Sequence, residues 1–221
     1  MIATRKVDRP EQEIEKADIL IEALPYLQSY RDKTILIKFG GSAMDNPELV
    51  KSLMRDIVVM ETMGLNPVVV HGGGKAISKA MQDAGLEARF VNGLRGTTEE
   101  AIDIVERTLS GSINPGLVQM MRDSGGKAVG IPGTNVFVGE KLMEKDENGN
   151  PVDIGRVGQV IGCQLERITE ALSLQLTPVI SPLARELGTH HALNVNADLA
   201  AAALARELKP VKLVYISDVP G

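Results

Sequence analysis

Residues 34–75, TILIKFGGSAMDNPELVKSLMRDIVVMETMGLNPVVVHGGGK, decide the fold. TILIKF (34–39) is an apolar strand-forming run that ends beside a lysine, and NPVVVH (66–71) is a second that ends in a histidine. Between them, Pro47 to Met63 reads as a helix with proline in its first turn, where a missing N–H costs nothing. Strand, helix and strand at these lengths predict a right-handed crossover between parallel strands. A glycine turn follows each strand, Gly40-Gly41-Ser42 after the first and Gly72-Gly73-Gly74-Lys75 after the second.

The same alternation spreads outward from this unit. Upstream, Glu11 to Gln28 is helical in pattern, with Ile14, Ala17, Ile21 and Leu24 on one face, Leu20 and Leu27 widening the stripe, and Pro25 expected to bend or end it. That apolar face is expected to pack on its own domain or on a second subunit. Downstream, helices are predicted from about Ala76 to Ala84, from Thr98 to Leu109 and over CQLERITEALSL (163–174). Strands are predicted at KAVGI (127–131), QLTPVISP (175–182) and KLVYIS (212–217), and a hairpin with a polar tip at DENGNP (146–151). Asn196 to Leu208 is an alanine-rich helix. The pattern predicts an α/β three-layer sandwich with a mostly parallel central sheet and helices on both faces. A parallel strand needs helices on both faces, and nothing after KLVYIS provides one. Either this strand sits at the sheet edge or, as the favoured expectation, a C-terminal segment is absent from this sequence.

Composition narrows the function. The 221 residues carry a net charge of -5, so a broad nucleic-acid footprint is not expected. No apolar stretch approaches the roughly 20 residues of a membrane span, and the charged N-terminus does not read as a secretory signal. One cysteine, Cys163, excludes an internal disulfide and suits a reducing, cytoplasmic setting. It follows a glycine at a predicted helix start and reads as structural.

The two glycine turns sit at the same edge of a predicted parallel sheet, where they would face one crevice. Glycine lets backbone N–H groups approach an anion, and a helix N-terminus adds partial positive charge. Neither turn has the spacing of a Walker A loop or a dinucleotide fingerprint, and His71 stands where a dinucleotide-binding oxidoreductase would end its second strand in an acid. Lys38 lies at the end of an apolar strand, where an amine must reach a ligand or water. Arg95, in NGLR (92–95), is of a type that grips carboxylates with paired hydrogen bonds. In NVNAD (194–198), Asn196 suits an N-cap and Asp198 the first helical turn, whereas capping leaves Asn194 unexplained. Asp198 is also placed to orient a lysine amine. His190 and His191 show no metal-ligand spacing, and no metal site is expected.

Together, KFGGSAM, VVVHGGGKAIS, NGLR, NVNADLAA and LVYISDVPG resemble the N-acetylglutamate kinase family of the amino acid kinase superfamily, from about Glu11 to Gly221. The resemblance implies an amino acid kinase-like fold whose C-terminal part is missing here. It implies ATP-dependent phosphorylation of the carboxylate of N-acetyl-L-glutamate to N-acetylglutamyl 5-phosphate in arginine biosynthesis, with ATP and Mg²⁺ arriving as a substrate complex. By the same resemblance, Lys38 would stabilise the phosphoryl group in flight and Asp198 would orient it. Gly40 and Gly41 would line the phosphate turn, and Gly73 and Gly74 would offer N–H groups. Arg95 and Asn194 would hold the acid, and Ser217 and Asp218 would begin the nucleotide site. Residues 1–30 would be a tail and oligomerisation helix making dimers or a hexamer, 31–210 the acid-binding domain, and 211–221 the start of the nucleotide part. If the protein ends at Gly221, no ATP-dependent turnover is expected, because the family's second catalytic lysine and most of its adenine pocket lie beyond. The alternatives are a catalytically silent acid-binding fragment or a sister kinase acting on another acid. The chain departs from the family pattern at Gly96, Thr98, Pro115 and GIPGTN (130–135).

Overall fold

The computed structural model describes residues 9–145, 149–189 and 191–217. The order begins with α1 (Arg9–Tyr30), β1 (Thr34–Phe39), α2 (Pro47–Thr62), β2 (Asn66–His71) and α3 (Gly74–Asp83). A small hairpin of β3 (Phe90–Val91) and β4 (Leu94–Arg95) leads to α4 (Glu99–Thr108) and α5 (Asn114–Asp123). Then come β5 (Ala128–Ile131), the long hairpin β6 (Phe137–Lys145) and β7 (Pro151–Cys163), and α6 (Glu166–Ser173). The described chain closes with β8 (Thr177–Ile180), β9 (Leu183–Glu186), β10 (Ala192–Val195), α7 (Ala197–Leu208) and β11 (Lys212–Ile216).

Five strands form one parallel sheet in the order β11-β1-β2-β8-β5. Alternation along its strands sorts the core into two layers. Ile35, Ile37 and Phe39 of β1 and Val69 of β2 face α2 and α5, meeting Met54, Ile57, Leu117 and Met121. Leu36, Val68 and Val70 face the other way, onto Ala200, Ala201 and Leu204 of α7 and Ile168 of α6. Each such side chain, once buried, contributes on the order of 1.5–3 kcal/mol. The three-layer α/β reading therefore holds. The crossover that defines it begins at Asn46, whose side chain accepts from Glu48 N (3.1 Å) and Leu49 N (3.2 Å) and so caps α2.

A second sheet closes on itself as β10-β7-β6-β9, joining both orientations. Its Phe137, Ala184, Leu193 and Val195 pack into the α7-side core. Several expectations need correction. Pro25 does not end α1, which runs on to Tyr30. The helix expected to stop at Leu109 passes through a π-turn, Leu109–Ile113, directly into α5. Cys163 ends β7 instead of opening a helix, since α6 starts only at Glu166. Burial, more than the nearby Glu207, pushes its thiol up to about 11, which suits a structural role. β11 is an edge strand, with Val214 and Tyr215 exposed. Pro115 is the second residue of α5, just past the π-turn, and Thr98 caps α4 by accepting from Ala101 N at 3.1 Å.

Candidate active site

Period-two alternation explains where the two polar strand-end residues go. Lys38 shares the face of Leu36 and so points toward α7. It is 7% exposed, and its Nζ lies 2.7 Å from Asp198 Oδ1. An amine this buried is tolerable only with such a partner. Asp198 is held in the first turn of α7 by its N-cap: Asn196 Oδ1 accepts from Asp198 N (2.8 Å) and Leu199 N (3.1 Å). Tyr215 Oη donates to the Asp198 carbonyl at 3.1 Å, tying β11 to the same turn.

The two glycine turns pack backbone on backbone. Gly72 N donates to Phe39 O at 2.8 Å, and a side-chain carbon on Gly72 would stand 3.0 Å from Gly40 Cα. A carbon on Gly40 would stand 3.1 Å from the Lys38 amine. Gly73 is roofed by the π-turn, for a side chain there would meet Leu109 Cδ2 at 2.6 Å and Ile113 Cδ1 at 2.7 Å. Bare glycine thus brings both turns and the amine onto one cleft of about 270 Å³. Helix α3 opens at Gly74, so its unsatisfied N–H groups and dipole add positive character there.

Arg95 comes from the β3–β4 hairpin. Its Nη2 donates to Gly74 O (2.7 Å) and Ser78 Oγ (2.8 Å), and its guanidinium lies 4.7 Å from the centre of the Phe90 ring. Nη1 is buried with no hydrogen-bond partner among the described residues. Burial lowers the Arg95 pKa from its ordinary value, and a buried unpaired donor calls for an acceptor. Asn194, at the ring strand β10, donates from Nδ2 to Thr97 Oγ1 at 3.1 Å. Lys38, Gly40, Gly41, Gly73, Gly74, Arg95, Asn194 and Asp198 all line the one cleft. Ser217 follows β11 and is not among the cleft's lining residues. Asp218 lies outside the described residues, as do His190 and part of the predicted hairpin tip.

The sequence pattern described as the amino acid kinase family matches residues 33–221. The chain belongs to the amino acid kinase family. It is 77% identical to the acetylglutamate kinase of Akkermansia muciniphila over 208 residues, 94% of this chain and 70% of that protein. It is 43% identical to the acetylglutamate kinase of Thermoanaerobacter pseudethanolicus, over 95% of this chain and 68% of that one. Among solved structures, the smu.665 protein of Streptococcus mutans superposes with a TM-score of 0.74 at 28% identity, covering 85% of this chain and 74% of its own.

Two residues of this amino acid kinase escape sequence reasoning. His71 shares the face of Val69, so it points at α5 and is fully buried. Asn114 Nδ2 donates to Val179 O (2.8 Å) and lies 3.2 Å from His71 Nε2, which makes that ring nitrogen the acceptor. Nδ1–H then donates to the carbonyl of Gly72 at 2.8 Å. The ring is neutral, and burial pushes the His71 pKa down to about 4. The pair pins the second glycine turn from beneath. The odd-position placement of His71 in a strand was a usable sign of burial; its partner was hidden because the π-turn disguised where α5 begins.

Proposed function

We propose that this chain phosphorylates the side-chain carboxylate of N-acetyl-L-glutamate with ATP, in arginine biosynthesis in the cytoplasm. One observation carries the reading: a strand-end amine, two glycine turns and the Arg95 side chain meet in one cleft, in a chain 77% identical to an acetylglutamate kinase. A carboxylate oxygen is already a nucleophile, so no general base is needed. It attacks the γ-phosphorus of ATP, the bond to the bridging oxygen breaks, and an acyl phosphate and ADP result. The difficulty is repulsion between anions, which alignment and local positive charge overcome. Lys38, oriented by Asp198, would neutralise the transferring group. Gly40 and Gly41, with Gly73 and Gly74, would direct N–H groups at it. Arg95 and Asn194 would hold the acid. Mg²⁺ would enter bound to the ATP phosphates.

In this reading residues 31–210 carry the acid site, and residues 211–221, with Ser217 and Asp218, begin the nucleotide site. Helix α1 joins subunits: Ile14, Leu20, Ile21 and Leu24 are all exposed on it. Among the described residues no helix is long and apolar enough to cross a membrane. The test is to incubate a full-length version of the protein with ATP, Mg²⁺, N-acetyl-L-glutamate and hydroxylamine, which traps acyl phosphates as hydroxamates. Hydroxamate that requires both ATP and the acid is expected. Its absence while both ligands bind would overturn the reading.

A further inference from the structure

Thr97 lies between the two residues proposed to hold the acid and is 1% exposed. Its hydroxyl donates to the Arg95 carbonyl at 3.0 Å. A hydroxyl has a single hydrogen, so what remains is acceptor capacity only. Asn194 Nδ2 lies 3.1 Å from the same oxygen. That second bond can run one way, from amide nitrogen to hydroxyl oxygen. Turning the amide over would either set two acceptor oxygens against each other or pull the hydroxyl hydrogen off the Arg95 carbonyl. Thr97 itself has little freedom to adapt. Its N–H donates to Ile154 O at 3.0 Å, and its carbonyl accepts from Arg156 N at 2.6 Å. Gly155, at φ +78°, lies so close that any side chain there would strike the Thr97 carbonyl. Arg156, in turn, is anchored by Glu99 and Glu186, each at 2.7 Å.

We infer that Thr97 is a positioning residue that locks the Asn194 amide with Oδ1 free to accept a hydrogen bond in the cleft, so that the site selects acids bearing an N–H donor beside the carboxylate held by Arg95. Asn194 Oδ1 has no partner among the described residues, and Asn194 and Arg95 line the same cleft. One hydroxyl thus sets both the backbone at the guanidinium and the polarity of the amide opposite. An N-acylated amino acid supplies the required N–H; a plain dicarboxylic acid of the same length does not. The inference rests on the acid-binding reading given above.

The experiment is calorimetric binding of N-acetyl-L-glutamate and of glutarate to the 221-residue chain. The parent protein is expected to prefer the acetylated acid by roughly tenfold, the scale of one well-placed hydrogen bond. Thr97→Val, which keeps the shape and removes the lock, is expected to bring that ratio close to one, and Thr97→Ser to restore it. A Thr97→Val protein that weakens both acids equally, leaving the ratio intact, would show a purely structural residue and overturn the inference. Equal binding of the two acids by the parent overturns it without any variant. Binding of neither acid sinks the acid-site reading itself, and this inference with it.

Discussion

A lysine amine can end a buried strand only where something opposite in charge awaits it, and here Asp198 does. Because the Asp198 side chain is about half exposed, removing the amine leaves no carboxylate stranded in the core. In a full-length version, Lys38→Met is therefore expected to keep its fold by circular dichroism while kcat falls by roughly 10²–10³, the cost of losing one donor to developing charge. Steady-state kinetics with kcat within about threefold of the parent would remove Lys38 from the reaction. Arg95 lines the cleft, so Arg95→Ala is expected to raise the KM for the acid about tenfold or more, with a smaller change in kcat. An unchanged KM would take Arg95 out of the acid site. At this scale the sequence was informative for Lys38, Arg95 and the glycines, because strand ends and glycine pairs are local signals. It was silent on Asn114 and Thr97, whose meaning comes from partners 43 and 97 residues away.

Elements with long, regular patterns were readable, and those defined by their neighbours were not. TILIKF and NPVVVH become strands over the residues expected, since apolar β-formers bounded by glycine and a helix leave little choice. The strands β9 and β10 lie in LARE and ALNV, four residues each and too short to stand out, and they exist because the hairpin β6–β7 offers both an edge to pair with. The π-turn takes one residue more than an α-turn would, an insertion with no sequence signature except the small residues of LSGSI. Helix α1 was legible as a helix but its partner was not, since its apolar residues remain exposed on the single chain. If α1 joins subunits, light scattering is expected to give the parent protein a mass that is a multiple of 23.7 kDa. Leu20→Lys combined with Leu24→Lys is expected to lower that mass toward a single chain. An oligomer that survives the double substitution would exclude α1 from the contact.

At the scale of the molecule, the buried imidazole links stability to pH. His71 has a folded pKa of about 4, below its ordinary 6.5. Above pH 6.5 neither state binds the proton, and the contribution is complete. As pH falls toward 4 the unfolded chain takes up a proton that the folded chain refuses, so stability declines across that window, by roughly 3 kcal/mol at its end. Denaturant midpoints at pH 7 and pH 5 are expected to differ less in His71→Gln than in the parent; equal differences would assign the slope to other groups. The cleft itself has a further consequence, because it joins Lys38 to Asp198 across most of the chain. A nascent polypeptide leaving the ribosome has made both glycine turns long before Asn194 and Asp198 are translated. The pocket is thus completed only after Asp198 has been made, and a metabolite that fits it stabilises only molecules past that stage. Supply of the acid would then act as a quality filter, enriching mature copies over those still half-built.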